Sequence, residues 1–140
     1  MKIFKLWLDE VGRWPLAGPV AVGGVFCLPW FYTHQYVWAS MITDSKQLNH
    51  KKREYLTEQL LSCSDIAWAT SFVSASYIDR HGIVAAIRKA ALDVIDQIIQ
   101  KVTPLLWNLW EADLNILLDG KTDYGLRTCI DYNLETIIKW

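Results

Sequence analysis

Two adjacent carboxylates, Asp9 and Glu10, follow an apolar opening segment, and a third, Asp119, closes the apolar run Leu114–Leu118. Carboxylate oxygens gathered at strand ends are hard ligands of the kind that Mg2+ or Mn2+ takes. Successive strand residues leave on opposite faces, so Asp9 and Glu10 serve one site only where the strand breaks. The glycine at position 12 permits such a break. A plainer reading leaves Asp9 and Glu10 as solvated turn acids and Asp119 as an Asp-Gly turn residue. Asp44-Ser45-Lys46 offers a second chemistry, with Ser45 as a donor and Lys46 as a point charge for a phosphate. Its plainer reading is an Asx turn leading into a helix cap. His34, His50 and His81 share no ligand spacing and carry no metal assignment. Nucleophile-elbow, P-loop and dinucleotide-binding patterns are absent from the sequence.

The elements that must position these groups alternate between strand and helix. Met1–Leu8 reads as a short strand ending at the carboxylates, and Val20–Leu28 as a buried valine-rich strand whose double glycine suggests a bulge. The Gly/Pro turn between them predicts an antiparallel pair. Pro29–Thr43 reads as an irregular aromatic connection. Asn49 caps a helix reaching Cys63, with Lys51, Lys52 and Arg53 set against the dipole at its start. An anionic group near that end would offset them. Ile66–Val73 is a strand. Apolar positions 83, 87, 90, 91, 94, 98 and 102 define a long amphipathic helix halted by Pro104. Leu114–Leu118 is a buried strand, and Thr136–Lys139 begins another. The pattern is that of an α/β domain.

A chain of 140 residues with net charge −1 suits one domain and carries no global basic field, so any nucleic-acid contact must be local. Three scattered cysteines read as reduced core thiols of an intracellular protein. Positions 15–32 hold no charge, yet their prolines and glycines suit a turn and a strand rather than a membrane span. Asp9 and Glu10 cut short any signal-peptide core after Lys2 and Lys5. A soluble, cytoplasmic chain is expected. The eight tryptophans are several times the usual share.

Taken together and in order, Leu8-Asp-Glu-Val-Gly-Arg13, Pro15-Leu-Ala-Gly-Pro-Val20, Asp44-Ser-Lys-Gln-Leu48, Ile78-Asp79 before Gly82-Ile83, and Leu117-Leu-Asp-Gly120 resemble ribonuclease HII over nearly the whole chain. The resemblance implies a ribonuclease H-like α/β fold, a mixed β-sheet flanked by helices. It implies an endoribonuclease acting on the RNA strand of RNA–DNA hybrids and at ribonucleotides embedded in duplex DNA. Asp9, Glu10 and Asp119 fall on three of the family's four catalytic carboxylates, which hold two divalent ions about 4 Å apart. Cleavage then leaves a 3′-OH and a 5′-phosphate. Gly12, Arg13 and Trp14 fall on the family's Gly-Arg-Gly motif, whose backbone reads the ribose 2′-OH that distinguishes RNA from DNA. Asp44, Ser45 and Lys46 match an Asp-Ser-Lys segment whose lysine contacts a substrate phosphate. Arg13 favours this family over ribonuclease HIII, which tends to carry threonine there. A monomer is implied.

Two departures stand out. By the family pattern the fourth carboxylate would come one residue after Trp140, followed by further helices, so the 140-residue chain is expected to be an N-terminal portion and a weak or inactive nuclease. Trp7, Trp14 and Trp140 occupy three family-glycine positions. A UGA codon meaning glycine but read as tryptophan accounts for that pattern and for the tryptophan excess; UGG at codons 7, 14 and 140 would exclude it. Otherwise Trp7 fills a core gap and Trp14 presents a stacking surface. On that second view the chain is a non-catalytic hybrid-binding module with a disabled site.

Overall fold

The stripe of apolar side chains between Ile83 and Val102 forms one 20-residue helix, and its packing partner organises the rest of the chain. The structure is a computed structural model, and it describes residues 4–12, 17–106 and 114–138. Five strands, β1 (Phe4–Val11), β2 (Val20–Cys27), β3 (Ile66–Val73), β4 (Leu114–Asp119) and β5 (Asn133–Ile137), form one sheet in the order β3-β2-β1-β4-β5. The β1/β2 and β2/β3 pairs are antiparallel, whereas β1/β4 and β4/β5 are parallel. Among the helices are α1 (Phe31–His34), α2 (His50–Ser62), α3 (Ala75–His81) and α4 (Ile83–Val102).

Alternate residues Leu6 and Leu8, Val20 and Val22, and Ile116 and Leu118 turn to one face and are buried with Ile87, Val94 and Ile98 of α4. Small residues at Ala86, Ala90 and Ala91 let the helix lie close to the sheet. The double glycine of β2 forms no bulge: Gly23 and Gly24 pair in unbroken register with Asp9 and Leu8 on one side and Thr70 and Ala69 on the other. Gly24 is there for space. A Cβ on it would lie 2.5 Å from Val94 Cγ1 and 2.9 Å from Ile98 Cδ1, inside contact distance.

Three other expectations are corrected. The first strand runs past Leu8 to Val11, because Glu10 and Val11 still pair with Val22 and Ala21. The last begins at Asn133 rather than Thr136, since Asn133–Glu135 align with Asn115–Leu117 and Leu134 is buried. The thiols are free, as expected, but none lies in the main core: Cys27 and Cys63 are half-buried against the smaller cluster around Trp38, and Cys129 is exposed. Cys27 lies on the strand face turned away from α4, Cys63 caps α2, and Cys129 follows a 3₁₀ turn.

The aromatic connection is ordered into a second small core. Trp38, Leu56 and Ile66 pack with Phe31 and Tyr36 between α2 and the open face of the sheet. Beneath it Asp65, only 4% exposed, accepts a 2.6 Å hydrogen bond from the Tyr36 hydroxyl and pairs with His34. Donation by Tyr36 holds the Asp65 carboxyl below its ordinary value of 3.8, and the same bond pushes the Tyr36 phenol up. A carboxyl with a depressed folded pKa stabilises fully above its unfolded value and loses that contribution as pH falls through the folded value. Asp65→Asn keeps the acceptor and removes the charge. Chemical denaturation across an acid series is therefore expected to show a shallower loss of stability below pH 3.8 than in the wild type. An unchanged acid limb would refute this role for the Asp65 carboxylate.

Candidate metal and substrate site

β1 and β4 run side by side in the same direction with Leu8 level with Leu118. The next residue on each strand is an acid, so Asp9 and Asp119 emerge at the same sheet end on the face away from α4. Partial desolvation at the strand end pushes the exposed Asp9 carboxyl above its ordinary value, and the charges of Glu10 and Asp119 push the same way. Its bond from the Glu10 amide, 2.8 Å, and the nearby Lys46 ammonium oppose that rise. The like charges of Glu10 and Asp119 beside Asp9 are a repulsion that a bound cation would relieve.

The involvement of Lys46 brings a distant motif to the acids. Asp44 caps the 3₁₀ turn Ser45–Gln47 by accepting from the Lys46 amide at 3.0 Å, so the Asx turn expected from the sequence is present. Arg53, in the first turn of α2, donates to the carbonyls of Ser45 and Leu48 at 3.3 and 2.7 Å. Those two carbonyls account for Arg53 at the positive end of a helix: it ties the turn carrying Ser45 and Lys46 to α2. The helix cap itself is Asn49, accepting from the Lys52 amide as expected.

Glu10 behaves differently from Asp9. Because β1 does not break at the two acids, Glu10 leaves on the α4 side of the sheet. There its Oε1 accepts a 3.1 Å hydrogen bond from the Tyr124 hydroxyl, while Oε2 is buried and finds no hydrogen-bond partner among the described residues. The three acids thus share one sheet end from two sides. Among the described residues no three His, Cys, Asp or Glu side chains are spaced to hold one metal ion together. The donors nevertheless suit a hard divalent cation: two mutually repelling carboxylates and a buried carboxylate oxygen without a donor.

The break expected at Gly12 comes just after the strand. Gly12 has φ +93°, and a Cβ there would stand 2.6 Å from the Pro19 carbonyl oxygen where the chain returns into β2. Arg13 and Trp14, the other residues expected to read a 2′-OH, lie outside the described residues, as does Trp140. Trp7 is described and fills no gap in the α4 core. It is half-buried on the Asp9 side of the sheet, where with Gly23, Trp68 and Leu60 it lines an open cavity of about 360 Å³. No spacing or motif in the sequence marks Tyr124, because its contact with Glu10 spans 114 residues.

The family model of ribonuclease HII matches residues 6–139. Ribonuclease HII of Aliarcobacter butzleri (strain RM4018) is 32% identical over 120 residues, which cover 86% of this chain and 52% of that protein. Ribonuclease HII of Rickettsia bellii (strain OSU 85-389) is 40% identical over 85 residues, 61% of this chain and 39% of that one. The chain therefore spans about half or less of the length of these curated relatives. Among solved structures, a mutant of Bst-RNase HIII superposes with TM-score 0.69 at 17% identity, covering 96% of this chain and 44% of that one. Ribonuclease H2 from Pyrococcus horikoshii OT3 superposes with TM-score 0.57 at 21% identity, covering 96% and 61%. Identities this low establish the shared ribonuclease H-like fold, while the match along the sequence establishes the lineage: the chain belongs to the ribonuclease HII family.

Proposed function

We propose that the protein is an endoribonuclease that cuts the RNA strand of RNA–DNA hybrids and duplex DNA at embedded ribonucleotides. The observation that carries this reading is the juxtaposition of Asp9 and Asp119 at neighbouring parallel strand ends with Lys46 close enough to act on Asp9. Asp9, Glu10 and Asp119 would hold Mg2+ or Mn2+. Bound divalent ions supply Lewis acidity to the scissile phosphate and lower the pKa of the attacking water. The chain's own residues do the rest. Ser45 and Lys46 hold a substrate phosphate beside the acids, at a position set by Asp44 and Arg53. Gly12, Arg13 and Trp14 would supply the backbone approach to the sugar that reads the 2′-OH. Hydrolysis breaks the bond between phosphorus and the 3′ oxygen, leaving a 3′-OH and a 5′-phosphate. Recognition by a local cluster of cations suits a chain whose net charge is −1. A monomer acting in the cytoplasm completes the reading; among the described residues no helix is long and apolar enough to cross a membrane.

A duplex carrying one ribonucleotide tests it, with wild type and Trp14→Gly assayed in Mg2+ and in Mn2+. At most weak metal-dependent nicking 5′ of the ribonucleotide is expected of the 140-residue chain, faster in Trp14→Gly, and an all-DNA duplex should be spared. Binding by both proteins without any nicking would leave a non-catalytic hybrid-binding module instead.

A further inference from the structure

We infer that Tyr124 is a positioning residue for Glu10: its hydroxyl fixes one carboxylate oxygen so that the other remains available to a divalent cation. The inference rests on the metal-site reading above and adds a residue to it.

The phenol is delivered by a turn whose shape is specified from several sides. Tyr124 is 2% exposed, so its ring is packed in the main core, and it holds a left-handed backbone with φ +51°. Such a conformation in a bulky residue persists only where the surroundings demand it, and it concentrates at functional sites. The demands are visible here. The Tyr124 carbonyl accepts from Arg88 of α4 at 3.4 Å, and its amide donates to Thr122 Oγ1 at 3.3 Å. Gly125 follows, also left-handed at φ +76°, with its amide bonded to Asp123 Oδ1 at 3.0 Å. A Cβ on Gly125 would lie 2.8 Å from Arg88 Nη1, so the glycine admits the guanidinium that anchors the turn.

Glu10 is where this arrangement ends. Its Oε1 takes the Tyr124 hydroxyl at 3.1 Å, and Oε2 is buried with no donor among the described residues. If the bond served only to satisfy a core phenol, one oxygen of the partner would not be left in that state. A carboxylate held at one oxygen cannot swing about its terminal torsion, and the free oxygen keeps a fixed place. Partners of this kind outside the ligand shell govern metal affinity.

Mn2+ alone, titrated calorimetrically into the 140-residue chain, reads the effect without catalysis. Tyr124→Phe removes a single oxygen from a packed ring and is expected to weaken Mn2+ binding by roughly 10–100-fold, with the far-UV circular dichroism unchanged. In a Glu10→Gln background the same substitution should have no further effect on Mn2+ affinity, which a purely structural role would not produce. Arg88→Met leaves the phenol in place but frees the turn, and it should shift affinity in the same direction. It keeps the question answerable should Tyr124→Phe fail to fold. Equal Mn2+ affinity in wild type and a folded Tyr124→Phe overturns the inference while the metal site stands. No saturable Mn2+ binding by the wild type overturns both.

Discussion

Asp119→Asn is expected to raise the melting temperature of the metal-free chain while removing whatever cleavage of ribonucleotide-containing duplexes the proposed function gives it. The two effects have one cause. Asp9 and Asp119 stand on adjacent parallel strands at the same level, and their mutual repulsion adds to the desolvation that raises the Asp9 pKa. Like charges on neighbouring strand positions destabilise a sheet by roughly 0.2–1 kcal/mol. For a chain of this size relief of that order lifts the melting temperature by about 1–4 °C. A divalent ion reverses the balance, since it binds the folded state and stabilises it by mass action. Wild type should therefore melt higher in millimolar Mn2+ than in chelator, and Asp119→Asn should lose most of that difference. Cleavage should fall by about 10³-fold or more, the scale of removing a principal electrostatic stabiliser of the transition state. Asp9→Asn should behave alike, and the double variant should add little, because both residues serve one charge cluster. A lower metal-free melting temperature in both single variants, with Mn2+ stabilisation intact, would remove the basis for a shared cation site.

The sequence carried the local parts of this arrangement well and its long-range pairings poorly. The α4 stripe is legible because eight buried positions repeat at helical spacing and a proline follows close behind. The Asx turn at Asp44 and the Asn49 cap are legible because each is settled within three residues. Strand ends are not. Whether β1 stops at Leu8 or continues through Glu10 depends on Val22 and Ala21 across the sheet. That continuation puts Asp9 and Glu10 on opposite faces. The neighbourhood of Asp9 and Asp119 depends on a parallel register that no spacing along the chain encodes. The double glycine of β2 suggests local irregularity, whereas Gly24 answers the approach of Val94 and Ile98 from a helix far along the chain. Asp65 and Tyr124 escape notice for the same reason: each acquires its meaning only from a partner brought by tertiary folding.

Gly12→Ala is expected to destabilise the chain substantially more than Gly18→Ala, although both glycines have left-handed φ. Gly18, at φ +113°, has no atom within 4 Å of a built Cβ, so an alanine there meets only the conformational penalty, on the order of 1 kcal/mol. Gly12, at φ +93°, meets that penalty together with a Cβ placed 2.6 Å from the Pro19 carbonyl oxygen and 3.3 Å from Val20 Cα. Both obstructing atoms are backbone, at the start of β2, and neither can rotate aside. Relief therefore requires the ends of β1 and β2 to separate where β1 hands over to the Gly12-Arg13-Trp14 segment. The added cost is about 1–3 kcal/mol, typical of forced overpacking. That separation acts two residues from Glu10 and three from Asp9, at the end of the strand that places both. Gly12→Ala should then lose cleavage at temperatures where it is still folded, whereas Gly18→Ala should keep both fold and cleavage near wild type. Urea denaturation midpoints measure the first difference, and the ribonucleotide-duplex assay measures the second. If the two alanine variants lose stability equally, the close approach of Gly12 to Pro19 contributes nothing beyond its dihedral angle. In that case the glycine at the head of the motif is accounted for by backbone freedom alone.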